Sequence, residues 1–240
     1  MLRKKYICKT DVIRLLMAIT LYHGSASIIE TPVFGQGNRH NDYGLGFYCT
    51  ERLDLAKEWA CTENNNGFAN EYLLQDDGLK VLDLSGGEYH ILNWLAILLE
   101  NRTFSIGQGL PEAVRKYIHD TFLPEYENYD VIRGYRADDS YFSFAGAFLN
   151  NTITFEQLGR AMKLGKLGEQ IVLKSEKSFD RLRFVRAEVA NNEIFYPRKT
   201  TRDRLAREAF RRDKEESPLE GLYVIDIIRN KISNDDPRLR

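Results

Sequence analysis

The stretch Asn41–Ala60, NDYGLGFYCTERLDLAKEWA, governs how the rest of the chain is read. It opens with a glycine-rich turn, passes into a short strand at Phe47-Tyr48-Cys49-Thr50 and ends in a helix. Thr50 is the expected N-cap, and Leu53, Ala56 and Ala60 recur behind it at helical spacing. Gly44 and Gly46 let the backbone turn sharply and let a flat ligand come close. Tyr43, Phe47, Tyr48 and Trp59 crowd the same turn. By itself this is a strand–helix unit with aromatic core residues. Two other stretches, one before it and one far after it, give it meaning.

Toward the N-terminus, Ala18 to His23 (AITLYH) is β-like and runs into Gly24-Ser25. The basic segment 1–16, ahead of Met17, reads as an N-terminal extension dispensable to the fold. Toward the C-terminus, strands are expected over Ala69–Leu74 and Lys80–Leu84, around Asp76-Asp77-Gly78. Glu88–Asn101 (EYHILNWLAILLEN) is an apolar helix, and Glu112–Phe122 is a second one set between Pro111 and Pro124. Then come a strand at Tyr129–Gly134, a polar junction at Arg136–Tyr141, and helices at Ser143–Asn150 and Thr154–Leu164, the latter capped by Thr154. Strands follow at Gln170–Leu173 and Phe184–Glu188. Arg198–Arg212 is a charged helix, read as a solvated face or as a docking face for an antitoxin or an RNA acceptor. Leu222–Asn230 is a last short helix or strand. The irregular interleaving of strands and helices predicts an α+β fold rather than a doubly wound sheet. With no linker visible, the expected organisation is one domain over 17–197 and a C-terminal helical extension, 198–240, packed on it.

Length and a hydrophobic content of 43% allow one sizeable core. A net charge of −1 argues against a nucleic-acid binder held by charge alone. Cys8, Cys49 and Cys61 are odd in number and lack a CxxC spacing, so neither a disulfide framework nor a zinc site follows. The apolar run Leu15–Leu21 is too short to span a bilayer. The expectation is a cytoplasmic protein with no membrane partner. Secretion as an effector, through a machine that reads no Sec signal, would leave no mark on such a sequence.

The common chemical motifs are missing. There is no P-loop and no HExxH, and the GLG at 44–46 lacks the third glycine of a dinucleotide fingerprint. His40, His90 and His119 are scattered, and His90, in an apolar helix, reads as structural. Cys49 and Cys61 read as small buried hydrophobes. His23 differs in its setting, a strand end followed by glycine, which brings a polar side chain and bare amides to a cleft edge. A structural, hydrogen-bonded histidine fits the same residues equally well. Arg136, Asp138 and Asp139 form either a solvated turn or a cleft border in which Arg136 meets a phosphate. The Asp pair lacks further ligands at magnesium or calcium spacing, so no metal is expected.

Three stretches taken together carry a resemblance. LYHGS resembles the first motif of ADP-ribosyltransferases of the diphtheria-toxin and poly(ADP-ribose) polymerase type, the H-Y-E class, in which a strand carries His-Gly. YGLGFYCTERLDLAKEWA resembles their second motif, Gly-x-Gly-x-Tyr on a strand followed by a helix. There Tyr48 is the tyrosine, and Trp59 is a second aromatic 11 residues on. Gly168-Glu169-Gln170-Ile171-Val172-Leu173, running on to Phe179-Asp180-Arg181-Leu182-Arg183-Phe184, resembles the third, a strand opened by a glutamate. The three occur in the family's order, and each alone is a weak signal. YDVIRGYRADDSYFSF, KLGEQIVLKS and RDRLAREAF resemble more closely a bacterial family of that superfamily, known only as a domain of unknown function.

The resemblance implies an ADP-ribosyltransferase-like split sheet with peripheral helices, and NAD as substrate without a metal. It implies mono-ADP-ribosyl transfer to a macromolecule, protein or nucleic acid, in a bacterial toxin or effector with an antitoxin or immunity partner. An inactive NAD- or ADP-ribose-binding module and an NAD glycohydrolase are the alternatives. Residue by residue, it implies that His23 bonds the adenosine-side ribose, that Gly24 binds the carboxamide through its backbone, and that Ser25 is among the residues that bind NAD. Tyr48 and Trp59 stack on the nicotinamide, and Arg136 meets a phosphate. Glu169 accepts from the 2′-OH of the nicotinamide ribose. Alternation along a strand sends Glu169 and Gln170 to opposite faces, so only one of these two candidate catalytic residues reaches the cleft. Related sequences often show glutamine at this strand start. Leu167 stands where arginine-specific transferases carry a second acid, which disfavours arginine as the acceptor.

Overall fold

The computed structural model describes residues 18–102, 112–137, 139–164, 168–216 and 220–240. The expected extension over 1–16, Met17, Asp138, Leu167 and the Asp139 side chain lie outside the described residues. The fold is α+β, with two sheets. One is antiparallel and ordered β1 (Ile19–Ser25), β3 (Gly67–Leu74), β7 (Leu182–Ala190). The other is ordered β2 (Phe47–Cys49), β6 (Glu169–Leu173), β5 (Val131–Tyr135), β4 (Val81–Asp83), and only its β4–β5 pair is parallel.

The sheets meet where β1 passes the end of β2. Tyr22 N donates to Thr50 O at 2.7 Å, and Thr50 N donates to Tyr22 O at 3.0 Å. On the β2 side of this pair a side chain takes over from the backbone: His23 Nδ1 lies 2.7 Å from Tyr48 O. A shared apolar layer joins the two sheets, with Leu21 and Leu74 from one and Cys49, Val131, Ile171 and Leu173 from the other.

Helix α1 (Leu53–Ala60) follows β2 and lies directly across β1. A Cβ on Gly24 would sit 2.1 Å from the Ala56 carbonyl oxygen, so only glycine permits this approach. The N-cap is Arg52, not Thr50. Thr50 spends its backbone on the inter-sheet pair, and its Oγ1 accepts from Arg52 N at 3.2 Å, which closes the strand rather than opening the helix. Helix α2 (Ile91–Asn101) is buried continuously from Ile91 to Leu99, as a helix apolar on all sides must be, and it anchors the main core. Around it stand α3 (Glu112–Phe122), α4 (Asp139–Leu149) and α5 (Phe155–Ala161). Thr154 caps α5 as expected, through reciprocal bonds with Gln157.

The C-terminal third differs in detail from the sequence reading. A short helix α6 (Glu176–Asp180), capped by Ser175, precedes β7. The charged helix α7 (Asn192–Glu216) starts before Pro197 rather than after it. A proline inside a helix forfeits one backbone bond, which is why it reads as a boundary. The stretch Leu222–Asn230 forms a helix, α8 (Val224–Arg229), and a 3-10 turn at Pro237–Leu239 follows it. Among the described residues no helix is long and apolar enough to cross a membrane.

Candidate functional site

A cleft of about 490 Å³ opens beside the junction of the two sheets. His23 and Gly24 come from β1, Phe47 and Tyr48 from β2, Trp59 from α1 and Gln170 from β6. Arg102 follows α2, and Arg136 and Ala137 follow β5. The loop after β1 supplies Ile29, Val33 and Gln36. Asn70 and Tyr72 of β3 hold that loop: Ile29 N donates to Asn70 Oδ1 at 3.0 Å, and the Tyr72 hydroxyl donates to Ile29 O.

The His23 ring stacks on Phe47, with centroids 4.3 Å apart. A carbonyl only accepts, so the contact with Tyr48 O assigns the proton to Nδ1 and leaves Nε2 as an acceptor. Burial lowers the imidazole pKa, and the bond to Tyr48 O opposes this only in part. The Tyr48 hydroxyl donates to Gly44 O at 2.5 Å and accepts from Tyr43 N at 3.1 Å. It is therefore pinned to the glycine-rich turn, and burial raises its pKa. Gly44 itself has φ +72°, the left-handed conformation that makes the turn.

Packing fixes the direction of β6. Ile171 and Leu173 point into the layer between the sheets, while Val172 points into the main helical core beside Tyr43. Period-two alternation then puts Gln170 on the Val172 face, and the pairing of Tyr48 with Val172 puts Tyr48 there too. Gln170 is 4% exposed and lines the cleft. Glu169 does not, which corrects its placement as the cleft acid. Its carboxylate lies on the opposite face, accepting from Arg133 Nη1 at 2.9 Å and from the Ser85 hydroxyl at 2.5 Å. Arg133 continues the network to Glu51.

One further expectation is corrected, and a second is narrowed. Ser25 is not among the cleft-lining residues: its hydroxyl donates to Ser27 O at 2.6 Å and accepts from Asn70 Nδ2 at 2.9 Å, tying down the following loop. Trp59 does line the cleft, but the Arg136 guanidinium covers one ring face at 3.9 Å. Trp59 thus holds a cation in the wall and does not have both faces free for a nicotinamide. Its indole N–H is buried and has no hydrogen-bond partner among the described residues.

A carboxylate is nevertheless present. Asp42, 5% exposed, lines the cleft and accepts three bonds. They come from Arg102 Nη1 at 2.7 Å, Ala137 N at 2.8 Å and Gln170 Nε2 at 2.9 Å. Arg102 also lies 4.8 Å from the Phe142 ring. Sequence reasoning missed both Asp42 and Arg102. The available signal for Asp42 was an acid embedded in a glycine- and aromatic-rich turn bound to be buried, since a buried acid needs partners. Arg102 had no local signal. Its partner lies 60 positions away.

The cleft therefore combines aromatic walls, two guanidinium groups, one of them bonded to a buried carboxylate, and two neutral acceptors. Such a surface suits a ligand with flat rings, sugar hydroxyls and a phosphate-type anion. The chain belongs to the family described as protein of unknown function (DUF3990), whose model matches residues 19–184. That span holds β1 through β6 and leaves out α7 and α8. No curated protein and no solved structure matches the chain.

Proposed function

We propose that the cleft binds NAD and that the protein is an NAD-dependent mono-ADP-ribosyltransferase acting on a macromolecular acceptor. The observation that carries this reading is the convergence of His23, Tyr48 and Gln170, from three separate strands, on one cleft that Arg102 and Arg136 also line. The cleft volume falls within the range of about 300–1,000 Å³ usual for small-molecule sites. The guanidinium groups suit a diphosphate, His23 Nε2 and the Gln170 amide oxygen suit ribose hydroxyls, and Tyr48 suits a flat ring. The ordered motifs that resemble the H-Y-E class add to the same reading.

In the proposed reaction the bond between the nicotinamide nitrogen and ribose C1′ breaks. Its electron pair leaves with neutral nicotinamide. An acceptor nucleophile bonds to C1′ and gives up its proton. The transition state is oxocarbenium-like and needs electron-rich groups close by. In this cleft they are the Gln170 amide oxygen and the Asp42 carboxylate. A toxin role with an antitoxin or immunity partner follows from the resemblance alone.

A second reading, NAD or ADP-ribose binding without turnover, is favoured by one observation: Glu169 is turned away from the cleft. Incubation with labelled NAD and cell lysate separates the readings. Label transfer that is lost on His23→Ala and Tyr48→Ala is the expected result. Nicotinamide release without transfer means hydrolysis. Calorimetric binding with neither activity means the module, and no binding at all removes the NAD reading.

A further inference from the structure

The bonding of Asp42 assigns it more than an anchoring role. We propose that Asp42 and Gln170 act as one unit, in which Asp42 orients the Gln170 amide so that its carbonyl oxygen meets a sugar hydroxyl of the ligand and supplies the negative charge that glutamine lacks. The inference rests on the NAD reading of the cleft.

The orientation follows from chemistry. A carboxylate oxygen has nothing to donate, so the Gln170 atom 2.9 Å from Asp42 Oδ2 must be the NH₂ group. The amide oxygen is then directed away from Asp42, on a side chain that lines the cleft. A bond donated to an anion is shorter and roughly twice as strong as a neutral one, and it draws electron density toward the amide oxygen at the far end. Asp42 is itself held firmly, because all three of its partners are donors and one is a guanidinium. Glutamine thus meets the ligand, while the charge stands one bond behind it. Asp42 is a positioning residue in this arrangement, and Gln170 is the group that touches the substrate.

The pair makes an unusual demand on substitution. Replacing Gln170 by glutamate restores the acid of the H-Y-E pattern, yet it sets a second carboxylate against Asp42. Two carboxylates about 3 Å apart cannot both ionise, and one pKa is driven up strongly. The other charged or titratable groups facing the pair are Arg102 at the end of α2, Arg136 after β5, His23 on β1, and the hydroxyls of Tyr43 and Tyr48.

The test is a reciprocal exchange in the full chain, read by NAD calorimetry and by urea unfolding without ligand. Asp42→Asn and Gln170→Glu should each weaken NAD binding by about tenfold or more at neutral pH, the range in which losing one charge-assisted bond falls. Gln170→Glu should recover toward about pH 5 and worsen toward about pH 8, in both affinity and stability. The double variant, in which an amide again faces a carboxylate although the asparagine accepts fewer of the bonds from Arg102 and Ala137 N, should bind NAD more tightly than the sum of the two single losses predicts. Additive losses in the double variant, or a Gln170→Glu protein indifferent to pH, overturn the pairing while wild-type binding leaves the NAD reading standing. Absence of NAD binding by the wild type overturns both. The unfolding arm reports the Asp42–Gln170 bond in either case.

Discussion

His23 is held neutral by its surroundings, and this has a consequence for stability. Burial lowers its pKa below the ordinary value of about 6.5, so over a window beneath that value the unfolded chain binds a proton that the folded chain refuses. Its contribution is fully present above about pH 6.5 and is lost as pH falls through the lowered folded value. His23→Gln should therefore flatten the fall in urea midpoint between about pH 7.5 and about pH 5. His90 shifts the same way, so the comparison with wild type is what isolates His23. Equal slopes for the two proteins would contradict this account. Residue identities at the site were only partly legible. His23, Gly24, Tyr48 and Trp59 stand out beside glycines or aromatics and do line the cleft. The choice between Glu169 and Gln170 was not legible, because the following Ile171, Val172 and Leu173 are all buried and give no alternation to read.

At the level of elements, α1 is the part most tightly constrained. It rests on Gly24 from one side, and α7 is bolted to the other by an ion pair between Arg202 and Glu58, the latter 2% exposed. Gly24→Ala forces the helix off the strand, since the obstructing atom is backbone. The expected cost is about 1–3 kcal/mol or more by urea unfolding, together with loss of the cleft. A Gly24→Ala protein of wild-type midpoint would show that α1 yields freely. Arg202→Ala leaves Glu58 buried without its cation and should cost about 3 kcal/mol, the low end for a broken buried pair because Arg202 is 20% exposed. Glu58→Leu with Arg202→Leu should cost less than Arg202→Ala alone, and the reverse ranking would mean that Arg202 acts through packing alone. Helices with strong caps or proline borders were legible where those signals stood: α3 to the residue and the start of α5 at Thr154, whereas α5 ends at Ala161 rather than Leu164. The start of α7 was not, because Pro197 carries the signal of a boundary while tertiary contacts to α1 outweigh the one lost bond.

Across the whole molecule, a net charge of −1 conceals a cleft in which two guanidinium groups face one carboxylate. Composition reports the sum and cannot report the segregation, so the pair of guanidinium groups became visible only once Arg102 and Arg136 lined one cleft. The two sheets are joined by one backbone pair, the His23 bond and a small apolar layer, and a ligand seated beside this junction binds the folded state alone. NAD at about 100 times its Kd should add about 2.7 kcal/mol of stability, which for a chain of this size is a rise in Tm of roughly 5–10 °C. If the diphosphate is what the guanidinium groups grip, ADP-ribose should stabilise nearly as much as NAD, whereas adenosine and nicotinamide should do little. Arg136→Ala should remove most of the ADP-ribose effect, read as the shift from the variant's own unliganded Tm. Loss of the partly buried stack of Arg136 on Trp59 should by itself lower the unliganded stability by about 0.5–2 kcal/mol. A shift from adenosine equal to that from NAD would place the affinity in the base rather than the diphosphate, and the two guanidinium groups would then lose their assigned role.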